Sequence, residues 1–295
     1  MSLEKQLIRA IKNRNVGKVR SLLEQGADVN AKTNDGMSAI FVAMTKNKDI
    51  VKLLLDYKAD VNDKFTDFER SNDGTIVRIY TPITFMLMGK LNKRDKIDIL
   101  KLLLQAGANP DTTCTYKDAN DTILASILFN ANPEILFLLL IFGAELKNED
   151  LAIIREKGDL QSCFTAFETV KVMPNLGKLI EANKSRDKKE NAEVIAKHIN
   201  NKTERQKLIK ELGAIEEGYG SDEQLSFMPE YLLDTIDHIT LKSREDKGAG
   251  VVSLAQKANT FLSKLKDVHQ SPNTSLAESQ LKGIEPLAKR QRMEI

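Results

Sequence analysis

Four stretches of this chain end in nearly the same string of residues, and this repetition constrains the fold more than any other feature. They occupy residues 19–28, 50–60, 99–109 and 135–145, and each runs through consecutive leucines to a glycine-like position followed by alanine. A lone helix pair cannot bury such a leucine stripe, whereas neighbouring copies bury it by stacking. The sequence therefore predicts stacked helical repeats, here numbered one to four.

These strings resemble the second helix of an ankyrin repeat, which ends in Leu-Leu-x-x-Gly-Ala-Asp. Segments 38–41, 81–84 and 122–125 correspond to the family's first-helix signature, Thr-Pro-Leu-His. The resemblance implies an all-α ankyrin-repeat solenoid with β-hairpin fingers, followed by a small C-terminal helical region. The signature histidine is replaced by Phe41, Thr84 and Ala125, so its hydrogen bonds between repeats must be lost or replaced.

The glycine-like positions predict how the second helices end. Gly26, Gly107 and Gly143 suit the left-handed conformation that commonly follows a helix. Lys58 occupies this position in the second repeat. A side chain is disfavoured there, so we expect the second repeat to end less stably, by up to ~1 kcal/mol.

The spacing of the repeats is irregular in one place. From the glycine-like position to the next first helix the intervals are 12, 23 and 15 residues, whereas the ankyrin interval is about 12. The third repeat thus begins with a long finger at residues 62–80. Its Asp73-Gly74 pair between β-rich runs predicts a β-hairpin.

The long finger is the first candidate functional site, because it carries aromatic and arginine side chains, which are enriched at binding hot spots. We expect it to bind a client protein. The residues concerned are Phe65, Phe68, Arg70, Arg78 and Tyr80, with Tyr116 and Lys117 of the next finger alongside. The alternative is a tolerated surface insertion, since a longer loop costs little free energy.

A second candidate lies near the C-terminus. Residues 228–239 resemble the start of an F-box, and residues 253–261 resemble its later helix. The resemblance implies docking onto the Skp-type adaptor of a cullin–RING ubiquitin ligase. The docking residues would be Met228, Pro229, Leu232, Leu233, Ile236 and Ile239. The alternative is a pair of ordinary helices that close a C-terminal bundle.

Ankyrin repeats followed by an F-box-like segment are similar to proteins of poxviruses and of obligate intracellular bacteria. This resemblance implies a host-directed effector that is cytoplasmic, with secretion into a host cell and partial nuclear entry as further expectations. Lys289, Arg290 and Arg292 fit a short nuclear-import signal. We expect a monomer with four parts: the array at 1–170, a charged helical connector at 171–222, the F-box-like helices at 223–266 and a flexible basic tail at 267–295.

Composition and motifs argue against other classes of function. The 44 basic and 42 acidic residues leave a net charge of +2, which does not favour nucleic acid as a partner. The longest apolar run, at 135–142, is far shorter than the ~20 residues that span a bilayer, so we expect no membrane association. Three separate histidines and no phosphate-binding glycine loop predict a protein without metal, cofactor or enzymatic activity.

The sequence therefore predicts a two-part adaptor. Its array would hold the client, and its F-box-like segment would recruit the ligase, so that tethering raises the effective concentration of the client. The alternative is a plain ankyrin scaffold or competitive inhibitor without ligase recruitment.

Overall fold

The described part of the chain is mostly helical and contains a four-stranded sheet. A computed structural model describes residues 1–71, 74–116, 119–122, 132–184, 202–219, 227–228, 230–232 and 234–235. The chain divides into two compact units: an N-terminal unit of Met1–Leu139 with Ala144–Ile153, and a C-terminal unit of Leu140–Gly143 with Ile154–Ile295.

Helix pairs occur where the repeats were predicted. The bounds are α1 Leu3–Lys12, α2 Val16–Glu24, α3 Ala39–Met44, α4 Lys48–Asp56, α5 Pro82–Met88 and α6 Lys93–Gln105. The second helix of the fourth repeat is α7, Pro133–Ile141. Of its predicted first helix, Thr122 ends a strand, and residues 123–125 lie outside the described residues.

The leucine stripes are buried, as their period requires. Leu22, Leu54 and Leu103 are each at most 1% exposed in α2, α4 and α6. Burying one such side chain stabilises a fold by roughly 1.5–3 kcal/mol. The hydrophobic core of the N-terminal unit is therefore built from the repeated pattern itself.

The repeat ends adopt the predicted left-handed conformation. The φ angles are +87° at Gly26, +94° at Gly107 and +91° at Gly143. Lys58 has the same conformation, with φ of +66°. Its amide donates to the carbonyl of Leu55 as that of Gly26 donates to Leu23, so the turn is retained without glycine.

A ladder of Asp and Asn side chains links the loops after each second helix. The amide of Asp60 donates to Asn30 Oδ1 at 2.8 Å, and that of Asn109 donates to Asn62 Oδ1 at 2.9 Å. The amide of Glu145 continues the series at Asp111 Oδ1, at 2.8 Å. These hydrogen bonds join the loops of successive repeats.

The first helices begin with unequal caps. At α5, Thr81 and Thr84 form a reciprocal capping box, in which Thr84 Oγ1 accepts from the Thr81 amide at 2.7 Å. At α3, Ser38 holds the corresponding position, but its buried hydroxyl makes no hydrogen bond.

Further helices follow among the described residues of the C-terminal half. The bounds are α8 Asn148–Glu156, which crosses the unit boundary, α9 Gly158–Lys171, α10 Leu176–Lys184 and α11 Lys202–Tyr219. Glu211 of α11 accepts hydrogen bonds from the Leu176 amide at 2.7 Å and from Asn175 Nδ2 at 2.6 Å. Because an uncapped helix start has free amides, this carboxylate fixes α10 to α11.

Candidate protein-interaction surface

The long finger is a β-hairpin, as its sequence predicts. Strand β1, Phe65–Ser71, pairs antiparallel with β2, Gly74–Tyr80, and all seven positions are in register from Phe65↔Tyr80 to Ser71↔Gly74. Asn72 and Asp73, where the sequence predicts the turn, lie outside the described residues. The extra residues of the third repeat form a regular projection.

The next finger extends the hairpin into a sheet. Strand β3, Thr113–Tyr116, pairs with β2, and β4, Ala119–Thr122, pairs with β3, giving the order β1-β2-β3-β4. Tyr116 lies opposite Arg78 in this register, so the expectation that the two fingers lie alongside each other is confirmed at this position. Lys117 lies outside the described residues.

Aromatic packing anchors the base of the hairpin. Phe65 is 8% exposed and Tyr80 is 9% exposed. The ring of Phe65 lies 5.8 Å from that of Phe41 in α3, and the ring of Tyr80 lies 5.7 Å from that of Phe85 in α5. Phe41 and Phe85 meet edge to face at 5.3 Å, which completes a cluster of four rings.

This cluster corrects part of the expected client surface. Phe65 and Tyr80 were expected to be contact residues, but both are buried against the helices. Sequence spacing carried a signal for this difference, because residues three apart on a strand lie on opposite faces. Phe65 and Phe68 therefore could not both face a client from one side.

The outer part of the hairpin carries an exposed apolar pair. Phe68 is 66% exposed and Val77 is 40% exposed, and the register places them directly opposite each other. Directly opposite side chains on a sheet are close enough to contact. These two residues, here called the finger pair, offer an apolar contact point supported by paired backbone.

Charged residues occupy the other face of the same strands. Asp67 lies opposite Arg78, and both are partly buried. Arg78 already has an interaction within the chain. Arg70 lies opposite Thr75 in the register, and only the backbone of Arg70 is described.

The short finger of the second repeat carries one electrostatic perturbation. The pKa of Asp35 lies below its ordinary value, chiefly because Thr33 hydrogen-bonds its carboxylate, and next because of its own backbone amide. The positive charge of Lys12 lowers that pKa further. Lys12 of α1 is therefore electrostatically coupled to the acidic residue of this finger.

The F-box-like segment is only partly within the described residues. Residues 228–235 are helical where described, as the resemblance predicts. Met228 is fully buried and Leu232 is 2% exposed, and the ring of Tyr231 lies 5.1 Å from that of Phe227. Pro229, Leu233, Ile236 and Ile239 lie outside the described residues, as do Lys289, Arg290 and Arg292.

Metal centres and membrane spans are the other kinds of site to consider. Across the part of the chain that the structure describes, no three His, Cys, Asp or Glu side chains are grouped so as to hold a metal ion. Nor does any described helix combine the length and apolar character needed to cross a membrane.

Comparison with known families supports the repeat assignment for the beginning of the chain. A family model for ankyrin repeats (three copies) matches residues 4–65. The N-terminus therefore consists of ankyrin repeats, which are typically non-enzymatic modules that bind proteins. No curated protein matches this chain.

Proposed function

We propose that this protein is a protein–protein interaction adaptor that holds a client protein through the finger pair, Phe68 and Val77. The observation that carries the proposal is a strongly exposed aromatic residue opposite a half-exposed valine, on a hairpin longer than an ankyrin finger requires. Exposed apolar groups in contact with each other mark interaction sites more often than isolated ones do.

The base of the finger supports this role. The four-ring cluster anchors β1 to α3 and β2 to α5, and Thr112 Oγ1 donates to Thr81 Oγ1 at 3.1 Å where β2 ends. A projection fixed in this way loses little conformational entropy when it binds. Buried residues at the base therefore make the finger pair rigid, which favours the affinity of its contacts with a client.

Paired affinity purifications test the proposal. Proteins recovered by the intact chain are compared with those recovered by a Phe68→Ser, Val77→Ser variant, using quantitative mass spectrometry. Val172→Ser is the matched control, because Val172 is 76% exposed and lies in the C-terminal unit. We expect the double variant to lose the client and the control to retain it; an unchanged set of proteins in the double variant would overturn the proposal.

Recruitment of a Skp-type ligase adaptor is the finer form of this proposal. Its support is the helical conformation of residues 228, 230–232 and 234–235, where the F-box resemblance predicts a docking helix. The burial of Met228 and Leu232 weighs against it, because a docking face has to be accessible to its partner. Recruitment would thus require this helix to be released from its present packing.

Binding to purified Skp-type adaptor tests recruitment directly. We expect a Pro229→Ala, Leu232→Ala, Ile236→Ala variant to lose binding if the segment is an F-box. Glu230→Ala with Asp234→Ala is the control, since both residues are exposed in the same helix. If the unaltered chain does not bind the adaptor, the plain scaffold or competitive inhibitor is favoured. The same conclusion follows if a chain truncated at Gly218 keeps its full cellular activity.

Host-directed action completes the proposal, and its support is the resemblance to poxviral and intracellular bacterial proteins. In this form the protein acts in a host cell and enters the nucleus through Lys289, Arg290 and Arg292. Fluorescence imaging of the intact chain and of a variant with these three residues changed to Ala tests nuclear entry. An equal nuclear signal in the two proteins would refute the role of the three residues.

A further inference from the structure

Helix α1 exposes three cations on one side. Lys5, Arg9 and Lys12 are all exposed, and the buried residues of the helix are Leu7, Ile8, Ala10 and Ile11. At 100° per residue, positions spaced four and then three apart fall within an arc of about 60° and extend over about 10 Å of helix. We call these three residues the basic stripe.

The basic stripe forms no ion pair within the described residues, and the opposite charge to which it is coupled is that of Asp35, whose pKa the charge of Lys12 lowers. Two exposed cations of later repeats do form ion pairs: Lys48 Nζ lies 2.6 Å from Asp98, and Lys93 Nζ lies 2.7 Å from Glu134. The side chains of Lys5, Arg9 and Lys12 form no hydrogen bond or ion pair with any described residue. None of the three is held in a hydrogen-bonded pair, so each can contact the carboxylate of a partner.

The surrounding charge strengthens the stripe. Residues 1–25 contain six basic and two acidic residues, whereas the whole chain has a net charge of only +2. The first repeat thus carries a local excess of four positive charges. Clustered charge of one sign raises the local concentration of oppositely charged groups and speeds their association.

We propose that the basic stripe binds an acidic segment of a protein partner, one that presents three or more carboxylates along about 10 Å. The inference rests on the protein-binding role proposed above, and it assigns a second surface with a different chemistry. The finger pair offers an apolar contact, whereas the basic stripe attracts negatively charged segments and so favours acidic partners.

Two other anionic partners fit this surface less well. A membrane-surface helix inserts its apolar side into the lipid, but the apolar side of α1 is buried in the N-terminal unit. Nucleic acid binding grows with the number of phosphates neutralised, and a stripe of three cations neutralises few.

Fluorescence anisotropy with a labelled deca-glutamate peptide tests the proposal on the full-length chain. The charge-reversal variant is Lys5→Glu, Arg9→Glu, Lys12→Glu. The matched control is Lys18→Glu, Arg20→Glu, Lys52→Glu, which makes the same change in net charge at exposed positions of α2 and α4. Thermal melting verifies that each variant is folded, and Lys5→Gln, Arg9→Gln, Lys12→Gln replaces the first variant if a negative charge in the last turn weakens the end of α1.

We expect the stripe variant to bind the peptide at least about tenfold more weakly than the control does, with a difference that shrinks as salt is raised. Equal weakening in both variants would overturn the proposal, since it would reflect net charge alone. Tighter binding of single-stranded DNA or of anionic phosphatidylserine vesicles than of the peptide would also overturn it. The Phe68→Ser, Val77→Ser variant separates the two proposals, because it should bind the peptide as the unaltered chain does.

Discussion

The amide of Asp60 donates a 2.8 Å hydrogen bond to the Oδ1 atom of Asn30, which lies one repeat earlier in the chain. Within the same loop, the Asn62 amide donates to Asp60 Oδ1 at 2.8 Å, and this hydrogen bond stabilises the local turn. The ladder passes from the second repeat to the third and fourth without a break, although the long finger intervenes in sequence. The ladder therefore joins neighbouring repeats whether the finger between them is short or long.

Removal of one rung should destabilise the N-terminal unit. Asn62 accepts from the Asn109 amide at 2.9 Å and donates to the Gly107 carbonyl at 3.2 Å. We expect Asn62→Ala to lower the free energy of unfolding by ~1–2 kcal/mol, measured by urea denaturation. Asn62→Asp keeps the acceptor and should lose less. Asn13→Ala, at an exposed helix end, is the control, and an equal effect there would refute the role of the ladder.

Glycine at position 58 should stabilise the second repeat. Lys58 has φ of +66°, a conformation that costs a residue with a side chain more than it costs glycine. We expect Lys58→Gly to raise the free energy of unfolding by up to ~1 kcal/mol in urea. The reverse change, Gly26→Lys at φ of +87°, should lower it by a similar amount. A loss of stability in Lys58→Gly would contradict the strain argument.

The two phenylalanines of β1 should differ sharply in their effect on stability. Phe65→Ala removes a ring from the four-ring cluster and should lower the free energy of unfolding by about 3 kcal/mol or more. Phe68→Ala removes an exposed ring, and we expect a change within about 0.5 kcal/mol. Thermal and urea denaturation of the two variants provide the comparison. Similar losses would mean that the outer hairpin is more buried than its 66% exposure at Phe68 indicates.

The unequal helix caps provide a fourth prediction. Thr84→Val keeps the shape of the side chain but breaks the capping box, so we expect a loss of ~1–2 kcal/mol. Ser38→Ala removes a buried hydroxyl that has no hydrogen-bond partner, and stability should stay unchanged or rise by up to ~1 kcal/mol. Calorimetric melting of both variants distinguishes the two cases. A loss at Ser38→Ala as large as that at Thr84→Val would indicate that the serine is bonded in solution.

Local rules predicted a large part of this fold. The leucine period predicted the helix pairs, and the Asp-Gly pair predicted a hairpin that the register now places at residues 65–80. The glycines predicted the left-handed turns at positions 26, 107 and 143, and Lys58, which departs from that pattern, adopts the same conformation. Each of these features depends on residues within a few positions of one another, where backbone sterics and side-chain period act directly.

The ladder was missed although its signal is visible in the sequence. Asp or Asn residues two apart recur after each of the first three second helices, at 28 and 30, 60 and 62, and 109 and 111. Within one loop this spacing indicates only a local turn, because such side chains often bond their own backbone. Contacts to the next repeat become apparent when the loops lie side by side.

The sequence by itself determined that repeats of helices exist, where they end and which of them carries a long hairpin. Only the tertiary structure decided which side chains of that hairpin a client can reach, because Phe41 and Phe85 come from distant segments to bury Phe65 and Tyr80. The same holds near the C-terminus, where Met228 and Leu232 are apolar in any reading and buried in this fold. Period and propensity fix the faces of an element, whereas the packing of residues far apart in sequence decides which face is covered.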